Sequence, residues 1–386
     1  MKKTICVVTA TRAEYGLLKP LIFKLKEDKD IDLKMAVTGM HLSPEFGLTY
    51  KEVINDNIDI DEKIEILMSS DTNVGVCKSM AMAMMSFSEY FNRIKPDMII
   101  ILGDRYEIFS IASVATVLNI PLAHIHGGEL TEGAYDDVFR HSITKMSYLH
   151  FTSCEAYRKR VIQLGEDPKR VFNVGAIGLD SIKSIKLLSL NELEESIDFK
   201  LDKKFGIVTF HPVTLEIGAA EEQCNELLMA LDNFNNMKFI ITKANSDTDG
   251  RIINKLIEEY ASRNKERILV VSSLGQLRYL SAMKYSSMVI GNSSSGIIEA
   301  PSFKVPTVNI GSRQKGIIKA RSVIDCEVKK DEIILAINKA LDLKFLRSIK
   351  DIENAYGDGE SSEKIIVNLK KCINGRIDLK KEFYNL

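Results

Sequence analysis

Residues 287–316, SMVIGNSSSGIIEAPSFKVPTVNIGSRQKG, contain two short apolar runs, and each run ends in a loop of glycine and polar residues. The first run, residues 288–290, has the length of a buried parallel strand and stops at Gly291 and Asn292. Three serines and Gly296 then lead into an apolar segment that resembles a helix start. The stretch therefore predicts a strand, a tight loop and a helix, the repeating unit of a parallel α/β sheet.

The loop after this strand is suited to an anion. Residues 293–295 offer hydroxyl and N–H groups at the positive end of a helix dipole, where negative charge is favoured. The second strand, residues 305–310, leads to Arg313 at the carboxyl edge of the same sheet, so the two loops should meet. An ordinary helix cap and a solvated arginine would explain each part separately. Together with Glu299, they favour a sugar-nucleotide site, because ligands commonly bind at this edge of parallel sheets.

Short apolar runs alternate with amphipathic stretches along the rest of the chain as well. This rhythm is typical of βα units and a parallel sheet. We predict strands at residues 4–8, 33–37, 98–102, 122–125, 149–152 and 171–174, and again at 204–210, 238–242, 268–272, 288–290 and 305–310. Helices are expected between the strands, the longest of them over residues 74–94.

The two groups of strands predict two domains. A chain of 386 residues exceeds what one hydrophobic core usually organises, and a charged span at residues 184–204 separates the groups. We therefore expect an α/β protein of two doubly wound, Rossmann-like domains, residues 1–175 and 176–365, that face each other across a cleft. The tail from residue 361 is expected to form two basic helices, with a helix at 366–386 joining the first domain.

The balance of charges excludes some classes of partner. Hydrophobic residues make up 45% of the chain and charged residues 27%, and the net charge is -1. Nucleic acids and acidic membrane surfaces select proteins with an excess of basic residues, so neither is expected as a partner. No stretch has the length and apolar character of a membrane span or the pattern of a secretion signal. We therefore expect a cytoplasmic protein.

The sequence also lacks the usual metal and cofactor motifs. The six cysteines lie far apart without a CxxC pair, which favours reduced thiols, and the six histidines form no HExxH motif. We therefore expect no metal. GxGxxG follows none of the predicted strands and GxxxxGK[ST] is missing, so neither a dinucleotide cofactor nor P-loop chemistry is expected.

Polar residues suited to a diphosphate sugar follow several other predicted strands. Arg12 and Arg105 each follow a strand, and arginine presents a fork of donors that matches phosphate oxygens. His211 also lies at a strand end. Helix capping or exposed charge would explain each residue by itself. Carboxylates follow the strand of Arg105 and the strand at residues 122–125: Asp104, Glu107, Glu129, Asp136 and Asp137. Their occurrence together at strand ends favours a functional site.

A set of motifs in fixed order carries a resemblance to a known family. The motifs are TRAEYG, GDRYE, HIHGGE, DDVFRHSITK, GEDPKRVFNVG, HPVT, GNSSSGIIE, NIGSRQKG and YGDG. In this order, across nearly the whole chain, they resemble the hydrolysing UDP-N-acetylglucosamine 2-epimerases. The resemblance is strongest to the bacterial branch that serves sialic acid and legionaminic acid synthesis.

The resemblance implies a GT-B-like fold whose second domain binds UDP, and no added cofactor. It implies that UDP-GlcNAc and water become ManNAc and UDP, by elimination to a glycal and addition of water, in sialic acid biosynthesis. The alternative substrate is UDP- or GDP-N,N'-diacetylbacillosamine, from legionaminic acid biosynthesis. The resemblance to the family also implies that the protein forms a homodimer or a homotetramer.

The resemblance also implies roles for single residues. Asp104 and Asp136 match carboxylates implicated in catalysis, and His211 matches the histidine of an active-site loop. His126 stands where many members have glutamate in a HIEGGE pattern, so either Glu129 or His126 itself is expected to be the base. Positions that contact the nucleotide or the sugar are matched by Arg12, Arg105, Asn245, Ser293, Ser294, Glu299 and Arg313.

Two other functions fit the same predicted fold and nucleotide site. A GT-B glycosyltransferase would release UDP only when a sugar or lipid acceptor is present, whereas the epimerase needs only water. A non-catalytic sensor would bind UDP without turnover. Carboxylates beside a diphosphate would burden such a sensor, because buried unpaired charges are costly.

Overall fold

The computed structural model describes residues 2–68, 72–130, 135–202, 204–212, 218–244 and 250–386. The chain divides into two compact units. The first comprises Met1–Ser181 and Tyr356–Leu386, and the second comprises Ile182–Ala355. The first boundary lies six residues after the one expected from the sequence, and the second lies ten residues before it. The C-terminal segment belongs to the first unit.

The first unit is built on parallel strands that alternate with helices. Its strands are β1 (Lys3–Thr9), β2 (Ile31–Thr38), β3 (Glu62–Ile64), β4 (Met98–Leu102), β5 (Leu122–Ile125), β6 (Leu149–Thr152) and β7 (Val171–Asn173). Its helices are α1 (Arg12–Glu27), α2 (Tyr50–Asn55), α3 (Asn73–Ile94), α4 (Tyr106–Val117), α5 (Tyr135–Met146), α6 (Glu155–Gln163) and, at the changeover, α7 (Asp180–Ser184). Among the described residues the strand order is β3-β2-β1-β4-β5-β6-β7.

The second unit repeats this architecture. Its strands are β8 (Phe205–Thr209), β9 (Lys238–Thr242), β10 (Ile268–Val271), β11 (Met288–Gly291), β12 (Thr307–Ile310) and β13 (Val323–Cys326). Its helices are α8 (Leu190–Ile197), α9 (Ala220–Leu231), α10 (Gly250–Arg263), α11 (Gly275–Tyr285), α12 (Ser294–Ile298), α13 (Lys330–Leu341) and α14 (Leu343–Ser348). Where the chain is described, the strand order is β10-β9-β8-β11-β12-β13.

Each sheet reverses its strand order once. The reversal lies between β1 and β4 in the first unit and between β8 and β11 in the second. β1 pairs in parallel with β2 and β4, and β8 pairs in parallel with β9 and β11. At such a reversal the helices on either side lie on opposite faces of the sheet, which opens a crevice at the carboxyl ends of the strands. The loops after these four strands are therefore the first places to look for a site.

The strand predictions are confirmed to within two residues at each end. Two strands were missed, β3 and β13, because neither has a continuous apolar run. Both lie at an edge of their sheet, where one side of the strand meets solvent. Edge strands carry charged residues that discourage pairing with other chains, and these charges hide them from a search for buried strands.

Both faces of the first sheet are buried, since successive residues of β1 point to opposite faces. Ile5 and Val7 pack in one cluster with residues of α1 and of the C-terminal segment. Cys6 and Val8 pack in another cluster with residues of α3 and α4. A parallel sheet covered on both faces favours strands that are largely apolar, which explains why the apolar runs predicted the strands well.

The C-terminal tail differs from the prediction. The helix α15 (Ser361–Ile373) packs on the first unit through Ile365 and Leu369. Residues 374–386, all of which are described, contain no helix, so the expected helix at 366–386 and the second basic helix are wrong. Asn374 and Gly375 follow directly after α15, and these residues favour termination. No helix in the described part of the chain is long and apolar enough to cross a membrane.

Candidate active site

Arg140 of α5 gathers the polar loops of the first unit. Its Nη2 atom donates to the carboxylate of Asp104, which follows β4. Its Nη1 atom donates to the carbonyl oxygen of His126 at 3.0 Å and lies 3.7 Å from Oε2 of Glu129, both in the loop after β5. The Arg140 side chain is only 8% exposed. A buried guanidinium with these partners holds the carboxylates of two loops close together.

Sequence reasoning assigned no role to Arg140, although DDVFRHSITK contains it. The signal was present in the spacing, because Asp136 and Arg140 are four residues apart in one helix and so lie on the same face. The predicted catalytic residues Asp104, Glu129 and Asp136 are brought together around this arginine. Asp104 and Asp136 also influence each other electrostatically.

The surroundings of these carboxyl groups favour the protonated form. Burial is the main cause that raises the pKa of Asp104, with Arg140 opposing it and Asp136 and Glu129 adding to it. Burial also raises the pKa of Asp136, against the effect of Arg105 and Arg140. Carboxyl groups shifted in this direction, in a cluster of opposite and like charges, are suited to proton transfer.

His126 and Glu129 lie side by side in the loop after β5. His126 has a φ of 65°, which is unusual for a residue with a side chain. Its Nε2 atom accepts from the N–H of Ile177 at 3.4 Å, and its Nδ1 atom is 3.6 Å from Oε1 of Glu129. Ser153 donates to the same Glu129 oxygen. Burial lowers the pKa of His126, so the imidazole is neutral near pH 7.

The two predicted phosphate arginines of the first unit differ in their surroundings. Arg105 forms two hydrogen bonds with Glu107, of 3.1 Å and 2.8 Å, and the Glu107 side chain is fully buried. This fork fixes the guanidinium at the strand reversal between β1 and β4. Arg12 is 65% exposed and pairs with Glu52 at 2.8 Å.

Glu14 is a buried carboxyl at the same reversal that sequence reasoning missed. Its Oε2 atom accepts from the N–H of Ala10 at 2.7 Å, and the residue is 6% exposed. Within the described residues, Oε1 has no hydrogen-bond partner. Burial raises the pKa of Glu14 to about 7, and the nearby Glu107 adds to the increase.

In the second unit, the serine loop has the predicted conformation. β11 ends at Gly291, whose φ is 128°, and a Cβ atom there would collide with the carbonyl oxygen of Thr209 on β8. Glycine is therefore required where the two strands approach. Ser293 caps α12, its hydroxyl accepting from the N–H of Ser295 at 3.4 Å, and Ser294 is exposed. Ser293 thus supplies the predicted helix cap, and Ser294 supplies an exposed hydroxyl group.

Asn292 joins three loops of the second unit. Its side chain forms hydrogen bonds of 2.8 Å with the N–H and with the carbonyl oxygen of His211, after β8. Its own carbonyl oxygen accepts from Arg313 at 3.1 Å and from Gln314 at 2.8 Å, in the loop after β12. The prediction that the loops after residues 290 and 310 meet is confirmed. Sequence reasoning gave Asn292 only a place in a turn.

Glu299 follows α12 near Tyr279. Burial raises the pKa of Glu299, and its neighbour Ser295 opposes the increase. Ser295 also donates to the Tyr279 hydroxyl at 2.8 Å. Asn245 lies outside the described residues, so its contact with a nucleotide remains a prediction.

Known proteins resemble this chain over its full length. The family model described as UDP-N-acetylglucosamine 2-epimerase matches residues 23–370. A Campylobacter jejuni protein named GDP/UDP-N,N'-diacetylbacillosamine 2-epimerase (hydrolyzing) is 45% identical, with 100% of both chains covered. The chain belongs to the UDP-N-acetylglucosamine 2-epimerase family. The prediction of the family, and with it of an enzyme, is confirmed.

Two further members of the family are similar along most of their length. Polysialic acid biosynthesis protein P7 of Escherichia coli is 42% identical, covering 100% of this chain and 98% of that protein. The Legionella pneumophila UDP-N,N'-diacetylbacillosamine 2-epimerase (hydrolyzing) is 36% identical over 96% of each.

Solved structures of the family share the fold. A UDP-GlcNAc 2-epimerase from Neisseria meningitidis, bound to UDP-GlcNAc, superimposes with a TM-score of 0.75 at 19% identity, covering 95% of this chain and 100% of that one. A putative UDP-N-acetylglucosamine 2-epimerase from Listeria monocytogenes gives a TM-score of 0.78 at 18% identity, with 96% of each chain covered. The predicted GT-B-like pair of doubly wound domains is confirmed.

Proposed function

We propose that the protein hydrolyses a nucleotide-activated 2-acetamido sugar and inverts the configuration at C2. The observation that carries this proposal is the cluster of Asp104, Glu129 and Asp136 around Arg140. Burial raises the pKa of Asp104 and of Asp136, and a shift in this direction suits carboxyl groups that gain and lose protons during the reaction. The reaction needs such groups because protons must leave one face of C2 and return to the other.

In the first step a base removes the proton from C2, and the C1–O bond to the nucleoside diphosphate breaks. The C–H electron pair becomes the C1=C2 double bond of a glycal, and the C1–O pair leaves with the diphosphate. We assign the base to Glu129. His126 is less suited, since its Nε2 atom accepts from Ile177 and its Nδ1 atom lies beside Glu129.

In the second step water adds to the glycal. The hydroxyl group joins C1, and a proton joins C2 on the face opposite to the one that lost it. We assign these proton transfers to Asp104 and Asp136, because both carboxyl groups border Arg140 and both favour the protonated form. The step consumes one water, so the products are the free 2-epimer and the nucleoside diphosphate.

The departing diphosphate must be stabilised before the weakly acidic C2–H bond breaks. We assign this task in the second unit to Arg313 and the loop of Ser293 and Ser294, which Asn292 holds together. His211 is fixed to the same asparagine. Glu299 is assigned to the ribose hydroxyls. In the first unit, Arg12 and Arg105 are assigned to the substrate's phosphate oxygens.

The proposed sugar is N,N'-diacetylbacillosamine, linked to UDP or GDP. The names of the Campylobacter and Legionella relatives support it, because both are called diacetylbacillosamine 2-epimerases. UDP-GlcNAc is the second candidate, and the description of the family, UDP-N-acetylglucosamine 2-epimerase, supports it. The name of the polysialic acid protein P7 supports a role in sialic acid biosynthesis. The reaction steps are the same for both sugars.

The test is an NMR assay in deuterated water with three substrates offered separately: UDP- and GDP-N,N'-diacetylbacillosamine and UDP-GlcNAc. We expect one of them to yield nucleoside diphosphate and the free 2-epimer with deuterium at C2. No acceptor is added, so a glycosyltransferase would leave all three unchanged. Release of the diphosphate without inversion at C2, or inertness toward all three, would contradict the proposal.

A further inference from the structure

The C-terminal tail is anchored to the first unit by Lys381. Its Nζ atom lies 2.7 Å from Oε2 of Glu166. The same atom donates to the carbonyl oxygens of Lys145 at 2.8 Å and of Ser147 at 2.6 Å. The side chain of Lys381 is only 18% exposed, although the tail contains no helix.

The carboxylate that receives Lys381 is itself completely buried. Glu166 also accepts from Nζ of Lys145 at 2.6 Å and pairs with Nε2 of His150 at 3.0 Å. Burial by itself would raise its pKa, but His150, Lys145 and Lys381 together lower the pKa of Glu166 to about 2. Removing Lys381 leaves the Glu166 carboxylate one charged donor short, although Lys145 and His150 remain in contact with it.

A second contact fixes the same part of the tail. The ring of Phe383 packs against Gly165, where a Cβ atom would collide with it, and Nζ of Lys145 lies 5.1 Å from the ring centroid. The backbone N–H of Tyr384 donates to the carbonyl oxygen of Gly165 at 3.0 Å. The tail is therefore seated by an ion pair, by an aromatic ring and by a backbone hydrogen bond.

These contacts meet at the end of helix α5. Lys145 is the next-to-last residue of α5, and Ser147 follows the helix directly. The last carbonyl groups of a helix lack partners within the helix and carry its negative end, so Lys381 caps α5. The same helix carries Asp136 in its first turn and Arg140 one turn later.

We propose that Lys381 is a positioning residue for the reaction. By fixing the end of α5, it holds Arg140 against Asp104 and keeps Asp136 at the carboxylate cluster. It touches no reacting atom, so its removal lowers turnover without altering the binding of the nucleotide. This role rests on the function proposed above.

The experiment compares Lys381→Met with Lys380→Met, a matched control at the neighbouring, exposed lysine. For Lys381→Met we expect amide hydrogen exchange over residues 139–146 to accelerate by about 10- to 100-fold, because the end of α5 and Glu166 lose a charged donor. We expect kcat to fall by about 10-fold or more while KM and the Kd for UDP change by less than about 3-fold. Lys380→Met should match the wild type in all four quantities.

Phe383→Ala provides an independent variant, since it weakens the same anchor without removing a charged group. It should accelerate amide exchange in α5 and lower kcat, both by smaller factors than Lys381→Met. If Lys381→Met does not fold, Phe383→Ala tests the positioning role instead. Unchanged exchange in α5, or faster exchange with wild-type kcat, would overturn the positioning role. If the wild type turned over none of the three sugars, the proposed function would fail, while exchange would still decide whether the tail anchors α5.

Discussion

The side-chain amide of Asn292 forms two hydrogen bonds of 2.8 Å with the backbone of His211, one to the N–H and one to the carbonyl oxygen. The amide thereby joins the two loops directly after the paired strands β8 and β11. It does so at the strand reversal, where His211 and Arg313 need a fixed separation. A residue with a donor and an acceptor on one short side chain is required for this bridge.

Replacing Asn292 by Asp tests this bridge with little change of shape. The carboxylate accepts from the His211 N–H but faces the His211 carbonyl oxygen without a donor. We expect the free energy of unfolding to fall by about 1–3 kcal/mol and the Kd for UDP to rise by about 10-fold or more. Denaturant titration and calorimetry measure the two effects. The exposed Asn236→Asp, in the same unit, is the control and should change neither.

Replacing Asp104 by Asn tests the acid–base assignment. An amide cannot transfer a proton, so we expect kcat to fall by about 10²–10⁴-fold, with the Kd for UDP unchanged. Asp97→Asn is the control, because Asp97 lies at the opposite end of β4 and pairs with Lys3. A parallel loss of turnover and UDP affinity in Asp104→Asn would indicate a folding defect instead.

Replacing Arg313 by Ala tests the phosphate assignment. A charge-assisted hydrogen bond contributes about 1.5–3 kcal/mol, so the Kd for UDP should rise by about 10- to 100-fold. Arg321→Ala removes an exposed arginine from the same unit and should leave the Kd unchanged. Wild-type affinity in Arg313→Ala would place the diphosphate elsewhere.

The choice between Glu129 and His126 as the base is open to a direct comparison. Glu129→Gln should slow turnover by about 10²-fold or more if Glu129 removes the C2 proton. His126→Asn keeps a residue that tolerates the φ of 65° and should cost less than about 10-fold. Stopped-flow or NMR rates with the preferred sugar decide the matter. The reverse order of losses would assign the base to His126.

Glu14 predicts a pH-dependent stability. Burial raises its pKa from the usual 4.5 to about 7. Below pH 4.5 the carboxyl is protonated in both the folded and the unfolded chain, so Glu14 adds no pH dependence to the free energy of unfolding there. Above pH 7 the folded chain must hold a buried carboxylate that the unfolded chain exposes to water, so stability is lost as the pH rises from 4.5 to 7.

Glu14→Gln removes this pH dependence while keeping an oxygen for the Ala10 N–H. Relative to the wild type, the variant should gain about 3 kcal/mol in the free energy of unfolding between pH 4.5 and pH 8. Denaturant titrations of both proteins at four pH values measure the difference. A difference that stays constant with pH would contradict the raised pKa.

Local pattern predicted more of the fold than of the site. The apolar runs of β4, β5, β6 and β9 marked those strands to the residue, because strands buried on both faces consist largely of apolar residues, with few polar ones such as His124 and His150. The edge strands β3 and β13 were missed because half-exposed strands lack that pattern. The tail was predicted as two basic helices, but residues 374–386 are not helical, and Phe383 and Lys381 fix them through contacts with distant residues.

Glycine-ended apolar runs and ordered motifs were enough to establish two doubly wound sheets, the family and most of the residues at the strand ends. Such features depend only on residues a few positions apart, so they can be recognised directly in the amino-acid sequence. Arg140 with Asp104, Asn292 with His211, and Lys381 with Glu166 join residues that are 36, 81 and 215 positions apart. Their pairing follows from the packing of whole helices and loops onto the sheets, which no local periodicity encodes.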